Sequence, residues 1–263
     1  MGGTGRPIDS LVQSWSNLSV KFFPSLSLSL LLMTVALVTA AEKPANLMNE
    51  RAWANFEGWS TAGAIAGSAG EKKWKWVKPG KAIIHNTDKK EAKPKDIVSV
   101  FEHGDVDLEI EFMIPKSSNS GVYFMKRYEV QILDSYGKPD QDLSFGDCGG
   151  IYQRWDDSKP TNKEKGYEGT PPATNASAAP GAWQKFRVQF RAPRFNANGK
   201  KIENARFIRV VHNGVTIHED IEVTGPTRGG NGNDEVAKAP LMIQGNHGPV
   251  AIRKLIIKPA NFK

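Results

Sequence analysis

The sequence predicts an all-β protein in which two antiparallel sheets pack face to face as a sandwich. Apolar residues occupy every second position in three stretches, 106–114, 128–133 and 186–190, and a period of two is that of a strand with one buried face. Turn signals rich in Gly, Asn and Pro separate many further short apolar runs. After residue 41 no amphipathic helical pattern of about twelve residues or more occurs, so helices are expected to contribute little.

The first 41 residues are expected to be a secretory signal peptide with a long polar leader. Arg6 and Lys21 precede an apolar run over 26–41, and small residues at its end offer a cleavage site. An uncleaved membrane anchor is the alternative, but the run contains serines and is shorter than the roughly 20 apolar residues that a span needs. We therefore expect a secreted or periplasmic protein without stable membrane insertion after cleavage.

The composition suits one domain with its own apolar core. Apolar residues make up 39% of the chain and include 12 Phe and 7 Trp, but there is only 1 Cys, so no internal disulfide can stabilise the fold. Cys148 has no His near it in the sequence. We expect it to be a small buried residue or a loop thiol rather than a nucleophile.

The charge pattern favours a glycan partner over nucleic acid. The net charge is +7, but the basic residues are spread along the chain and form no basic–aromatic motif. A basic secreted protein can bind acidic surfaces or glycans. The sequence also contains no Gly-rich phosphate loop, Cys/His zinc pattern or G-x-S-x-G elbow, which argues against the corresponding enzyme classes.

Residues 42–97 are expected to form a mostly irregular N-terminal segment of the sandwich. Short strands are predicted at 74–77 and 82–84, on either side of a Pro-Gly turn. A short amphipathic turn is predicted around Trp53, Phe56 and Trp59. These Trp residues could stack on sugars, but anchoring the edge of the sandwich is the favoured role for most of them.

Residues 98–263 are expected to form the sandwich domain itself. Its clearest strand lies within 98–114, where five apolar residues alternate with Asp107, Glu109 and Glu111. The acids are expected to face solvent, with a negatively charged cleft as the alternative. Further strands are predicted at 183–191, 206–212, 215–221, 241–244 and 251–257, and Asn213-Gly214 is a strong hairpin signal. We expect His212 and His218, on that hairpin, to be exposed.

A candidate site lies in the stretch 117–136. Tyr128, Val130 and Ile132 alternate with Glu129 and Gln131, which places the carboxylate and the amide on one sheet face. Asp134 would join them only if a β-bulge near Leu133 changed the alternation. Such a trio could act on a sugar, although alternating polar residues more often form the solvated face of a strand.

Three motifs carry a resemblance to a known family. The sequences N-S-G-V-Y-F at 119–124, Y-E-V-Q-I-L-D-S-Y-G at 128–137 and G-G-I-Y at 149–152 resemble the 3-keto-disaccharide hydrolase domain family, over about residues 98–262. The resemblance implies a concanavalin-like jelly roll with a ligand across one curved sheet. It also implies cleavage of glycosides whose sugar carries a ketone at carbon 3.

The resemblance implies a base at carbon 2 of the sugar, donors for an enolate oxygen and an acid for the leaving oxygen. Glu129 is the expected base, with Asp134 as its alternate. Asp134 and His247, which lies in a Q-G-N-H-G sequence similar to the family's Gln-x-x-His-Gly, could act as acid or hold a divalent metal, the only cofactor considered. The expected substrate-binding residues are Asn119, Gln131, Tyr152, Gln244 and Arg253. Arg253 could instead pair with an acid on the sheet.

Two other functions fit the same stretch. The pattern Glu129-x-Gln131-x-x-Asp134 is similar to the Glu-x-Asp-x-x-Glu strand of laminarinase-type glucanases, which use two carboxylates about 5–5.5 Å apart. The Gln and Asp in this sequence depart from that pattern. The second alternative is a non-catalytic carbohydrate-binding sandwich, for which a free-standing domain is less typical.

Overall fold

The computed structural model describes residues 43–66, 70–85, 95–230, 232 and 234–263. The predicted signal peptide, residues 1–41, lies outside them. Two sheets contain most of the described strand residues, and every strand pairing in the described ranges is antiparallel. The predicted all-β, jelly-roll-type antiparallel sandwich is confirmed.

The larger sheet has eight strands in the order β14-β13-β10-β5-β16-β3-β2, with β1 beside β16. Its strands are β1 (Ala45–Asn46), β2 (Ser60–Ala66), β3 (Lys75–His85), β5 (Val106–Met113), β10 (Gln184–Arg191), β13 (Ala205–His212), β14 (Val215–Val223) and β16 (Val250–Pro259). The smaller sheet has the order β4-β15-β6-β7. Its strands are β4 (Ile97–His103), β6 (Asn119–Phe124), β7 (Tyr128–Leu133) and β15 (Ala239–Ile243).

Two short ribbons and three helical turns complete the described structure. The ribbons pair β8 (Arg154–Trp155) with β9 (Gly166–Tyr167) and β11 (Arg194–Phe195) with β12 (Lys201–Glu203). One α-helical turn, α1 (Asn162–Lys165), and two 3₁₀ turns (Glu50–Ala52 and Asp140–Asp142) are present. None of the helices in the described ranges is long and apolar enough to cross a membrane.

The core lies between the two sheets and is built by the alternation seen in the sequence. On β5 and β10 every second residue is buried. On β6 and β7 the residues that face the core are buried as well. Its central side chains are Leu108, Ile110, Phe112, Val122, Phe124, Val130, Ile132, Phe186, Val188, Phe190, Leu241 and Ile243. Cys148 is also buried, which is the first of the two alternatives expected for it.

The outer face of the larger sheet carries the acids of β5, and they are paired across strands. Glu109 accepts from Lys185 at 2.7 Å and from Lys254 at 2.6 Å. Arg253 lies 2.6 Å from Glu111, and its guanidinium stacks over Trp183. Of the two roles expected for Arg253, the structure shows the pairing with a sheet acid, and it places Arg253 on the sheet opposite the one that carries Glu129.

Two expectations for the hairpin β13–β14 and the N-terminal segment are wrong. His212 and His218 are buried, because loop residues cover this face: His218 Nε2 is 2.8 Å from the Gly149 carbonyl. The segment 42–97 is more regular than expected, since β2 and β3 form a long hairpin. Its Gly- and Ala-rich sequence lacks apolar alternation. At Gly63 and Gly80 the backbones of β2 and β3 pack against each other without intervening side chains, since a Cβ at Gly80 would lie 1.9 Å from Gly63 Cα.

Trp53 and Trp59 anchor that segment, as expected. Both side chains are buried. Trp53 Nε1 donates to the Leu47 carbonyl at 3.1 Å and Trp59 Nε1 to the Lys95 carbonyl at 2.9 Å. A buried indole that finds a carbonyl acceptor fixes loop backbone to the sheet edge, which is a structural role.

Candidate active site

The face of the smaller sheet that points away from the core holds the candidate site. In the β6–β7 hairpin Tyr123 pairs with Glu129, Gly121 with Gln131 and Asn119 with Leu133. Residues that face each other across antiparallel strands share a sheet face. Met242 on β15 pairs with Tyr123, which places the next residue but one, Gln244, on the same face. The sequence prediction that Glu129 and Gln131 share a face opposite Val130 and Ile132 is confirmed.

Glu129 is far more enclosed than an open strand face would make it. Its exposure is 2% and that of Gln131 is 3%, so the expectation of an open concave surface at these two residues is wrong. The cover comes from two loops. The Glu129 backbone N–H donates to Thr227 Oγ1 at 3.1 Å, and its carbonyl accepts from the Tyr152 backbone at 3.2 Å.

Tyr123 is the principal partner of the Glu129 carboxyl. Its side chain is buried, and its hydroxyl lies within hydrogen-bonding reach of that carboxyl. The same hydroxyl is 3.4 Å from the Arg228 carbonyl and 3.4 Å from Gln244 Nε2. A phenol held between an acceptor, a donor and a carboxyl can exchange protons with that carboxyl.

The environment changes the proton affinity of both groups. The pKa of Glu129 is raised to about 8: burial raises it most, the hydrogen bond from Tyr123 lowers it, and the charge of the nearby Asp96 raises it. Burial, helped by the charge of Glu129, raises the pKa of Tyr123 well above its usual range. Tyr123 therefore stays protonated, while Glu129 can gain or lose a proton near neutral pH.

Asp96 and Gln244 border this pair from the neighbouring strands. Asp96 precedes β4, and its Oδ1 accepts from the Gly245 backbone at 2.9 Å. Gln244 directly follows β15, and its backbone N–H donates to the Gly121 carbonyl at 3.0 Å. The structure thus brings Gln244, a predicted binding residue, beside Tyr123.

A loop is fixed over the site by the tip of the β6–β7 hairpin. Thr227 N and Oγ1 both donate to the Arg127 carbonyl, at 2.8 and 2.9 Å. Arg127 Nε in turn donates to the Asp234 carbonyl at 2.7 Å. The tip itself has Met125 and Lys126 at φ of 54° and 58°, a left-handed conformation that is uncommon for residues other than Gly. Strained backbone of this kind is often found beside functional sites.

Three predicted binding residues lie on this face with different surroundings. Asn119 Oδ1 is buried and has no hydrogen-bond partner among the described residues, so it can accept from a ligand hydroxyl. Gln131 Oε1 already accepts from the Ile132 backbone at 3.0 Å. Tyr152 is half-buried and packs edge-on against Phe145, with ring centroids 5.3 Å apart.

Asp134 and His247 are not brought together with Glu129 in the way expected. The β6–β7 register is unbroken through Leu133, so the β-bulge is absent. Asp134 instead closes the turn before β6, where Oδ2 accepts from the Ser117 backbone at 2.8 Å. His247 is exposed in the loop after β15 and contacts Asn246. In the described ranges no three His, Cys, Asp or Glu side chains converge.

Sequence reasoning missed several residues of the site: Asp96, Tyr123, Thr227 and Arg228. Tyr123 was within reach of the sequence, because it belongs to the same N-S-G-V-Y-F motif and alternates with Val122 and Phe124. The others come from loops that have no periodic pattern.

A family model matches most of the chain. The chain belongs to the family of 3-keto-alpha-glucoside-1,2-lyase-like domains, whose model matches residues 43–258. That family makes it a carbohydrate-active enzyme by class. No curated protein shows significant sequence similarity to it.

A solved structure shares the fold. A presumed glycosyl hydrolase from Parabacteroides distasonis ATCC 8503 has 23% identity and a TM-score of 0.55, over 82% of this chain and 84% of that one. A second presumed glycosyl hydrolase from the same organism has 15% identity and a TM-score of 0.47, over 83% and 94% of the two chains. At these identities the likeness concerns the fold alone.

Proposed function

We propose that this protein cleaves 3-keto-glycosides outside the cytoplasm, with Glu129 as the group that moves the proton of carbon 2. The observation that carries the proposal is a buried carboxyl whose pKa is raised to about 8 and which faces a tyrosine hydroxyl that is protonated at neutral pH. A base is most effective when its pKa lies near the working pH. Family membership supports the choice of substrate class.

The chemistry can be written with these residues. The ketone at carbon 3 acidifies the carbon 2 proton, which Glu129 accepts, while the C–H electron pair forms an enolate. The enolate returns to the ketone as a double bond forms between carbons 1 and 2, and the bond from carbon 1 to the leaving oxygen breaks. The leaving oxygen takes a proton from the Tyr123 hydroxyl, which is replenished by the proton that Glu129 carries. Water then adds across the double bond, with hydroxyl at carbon 1 and a proton at carbon 2, so the net reaction is hydrolysis.

Tyr123 has the position of the second proton carrier in this scheme. When Glu129 is ionised, the Tyr123 hydroxyl donates to it. When Glu129 has taken the substrate proton, Tyr123 can donate elsewhere, to the enolate oxygen or the leaving oxygen. Gln244 and the Arg228 carbonyl hold the hydroxyl in place, and the free Asn119 Oδ1 would accept from a sugar hydroxyl. No step requires a metal.

The geometry supports a retaining glucanase less well. That mechanism needs a second carboxylate about 5–5.5 Å from the first. Gln131 takes the neighbouring position on β7, Asp134 serves the Ser117 turn, and Asp96, the carboxylate whose charge acts on Glu129, already accepts from the Gly245 backbone.

The test is incubation with a 3-keto-disaccharide and with its unoxidised parent. We expect cleavage of the keto sugar only, and Glu129→Gln should lower turnover by at least about 100-fold, the typical contribution of a positioned base. Glu219→Gln, an exposed change on β14, is the matched control and should retain activity. Cleavage of the parent would instead identify a glucanase, and binding without cleavage of either sugar would identify a binding module.

A further inference from the structure

We infer that Arg228, stacked on Trp155, forms a subsite for a carboxylate on the part of the substrate next to the scissile bond. The inference rests on the proposed function for the position of that bond. Its own basis is that the Arg228 guanidinium stacks on Trp155 and has no ion-pair partner among the described residues, whereas the neighbouring Arg154 has one.

Arg228 is fixed beside the Tyr123–Glu129 pair through its backbone. Its carbonyl is the 3.4 Å neighbour of the Tyr123 hydroxyl, and its N–H donates to the Gln153 carbonyl at 2.8 Å. The preceding Thr227 binds the Glu129 backbone. The side chain of Arg228 therefore starts at the rim of the candidate active site and is exposed.

The guanidinium of Arg228 lies flat over an aromatic ring. Its Cζ is 3.6 Å from the centroid of Trp155, a short cation–π distance. Trp155 is itself held in the β8–β9 ribbon, and its Nε1 donates to Asp157 at 2.9 Å. A stacked guanidinium keeps its N–H edge free in the plane of the group, and that edge matches a carboxylate in bidentate geometry.

Arg228 forms no ion pair with a carboxylate among the described residues, whereas the nearby cations do have acceptors. Arg154 donates to Thr224 at 2.5 Å and is 3.6 Å from Glu168, and Lys165 is 3.5 Å from Asp157. Asp157, the acid beside Trp155, is bound by the indole and the lysine, and the charge of Arg228 acts on it only from beyond ion-pair distance. A pre-positioned, unpaired arginine at the rim of a site is suited to an anionic ligand group.

The experiment compares two 3-keto-glucosides, one with a phenyl and one with a 4-carboxyphenyl leaving group. The ratio of their kcat/KM values measures recognition of the carboxylate, and the intrinsic reactivity of the two leaving groups cancels between protein variants. We expect Arg228→Gln to lower the ratio, carboxylated over neutral, by about tenfold or more, and Arg228→Lys to lower it less. Added salt should weaken the preference of the wild type.

Arg209→Gln is the matched control, because Arg209 is an exposed arginine on the outer face of the other sheet, and it should leave both substrates and their ratio unchanged. An Arg228→Gln protein with the wild-type ratio would overturn the subsite. If neither keto-glucoside is cleaved, the proposed function fails but the subsite is still tested, by calorimetric binding of unoxidised 4-carboxyphenyl glucoside. Binding that is equal in wild type and Arg228→Gln would overturn it there.

Discussion

Gly121 leaves open the space that the Glu129 carboxyl fills. A Cβ added at position 121 would lie 2.1 Å from Glu129 Oε1 and 2.9 Å from its carboxyl carbon. Both distances are below any real contact of a Cβ atom, and Glu129 is too enclosed to move freely. The glycine of the N-S-G-V-Y-F motif is thus required for the room it leaves on the site face, next to the pair formed by Tyr123 and Glu129.

Gly121→Ala should therefore impair catalysis more than folding. The added methyl group would push the Glu129 carboxyl away from Tyr123, and overpacking of this kind costs about 1–3 kcal/mol of stability. We expect a folded protein with at least about tenfold lower kcat on a 3-keto-disaccharide. Gly70→Ala is the control, since nothing lies within 4 Å of a Cβ there. Unchanged kcat in Gly121→Ala would mean that the carboxyl position is not critical.

The pH dependence of activity distinguishes a base from an acid. Burial raises the pKa of Glu129 to about 8. If Glu129 takes the carbon 2 proton, the active form is ionised, so kcat/KM should rise with pH and level off above about 8. A kcat/KM that falls through this range would instead make Glu129 the acid for the leaving oxygen. The measurement is kcat/KM from pH 5.5 to 9.5, since that constant reports the free enzyme.

The same group should make the protein less stable as pH rises. The unfolded chain loses the Glu129 proton near 4.5, whereas the folded protein keeps it up to about 8. Between these values the folded state binds more protons, so the free energy of unfolding falls by up to about 1.4 kcal/mol per pH unit. Glu129→Gln removes this dependence.

Urea unfolding at pH 5, 6.5 and 8 would measure it. The stability of Glu129→Gln relative to wild type should increase at each step. Parallel profiles for the two proteins would show that the carboxyl does not have the raised pKa that its burial implies.

Tyr123→Phe should separate the roles of the two buried groups. The change removes a hydroxyl that contacts Glu129, Gln244 and the Arg228 carbonyl, while the ring remains. We expect kcat to fall by about 10²-fold or more, as for loss of a positioned proton donor. The rise of kcat/KM with pH should move to higher pH, because the hydrogen bond from Tyr123 lowers the Glu129 pKa. An unshifted profile with normal kcat would remove Tyr123 from the mechanism.

The sequence predicted the sandwich because its strands are half-buried and alternate cleanly, as on β5 and β10. The same alternation on β7 predicted that Glu129 faces away from the core. The bulge predicted at Leu133 is absent, because the register of the hairpin is set at its turn, Met125 and Lys126. The backbone there is left-handed, although no Gly or Asn in the sequence indicates it. Thr227 reaches Glu129 across 98 positions of sequence, and no local pattern encodes such a contact.

His103 supports that unusual turn and should make the protein sensitive to acid. Its Nε2 accepts from the Met125 backbone at 3.1 Å, and its Nδ1 lies 2.9 Å from the Gly104 carbonyl, an arrangement that only the neutral ring with a proton on Nδ1 satisfies. Burial lowers the pKa of His103 to about 4. Between pH 6.5 and about 4, His103 binds a proton in the unfolded chain but not in the folded protein. The free energy of unfolding is therefore unaffected by His103 above pH 6.5 and decreases as the pH falls towards 4.

His103→Gln tests this, because an amide can donate and accept in the same place without titrating. From pH 6.5 to 4.5 the wild type should lose stability more steeply than the variant, by up to about 1.4 kcal/mol per pH unit. Above pH 7 the two curves should run parallel, which serves as the internal control, since other buried histidines such as His212 contribute equally to both proteins. Equal slopes below pH 6.5, measured by urea unfolding, would show that His103 is protonated in the folded protein and that the turn tolerates the loss of its acceptor.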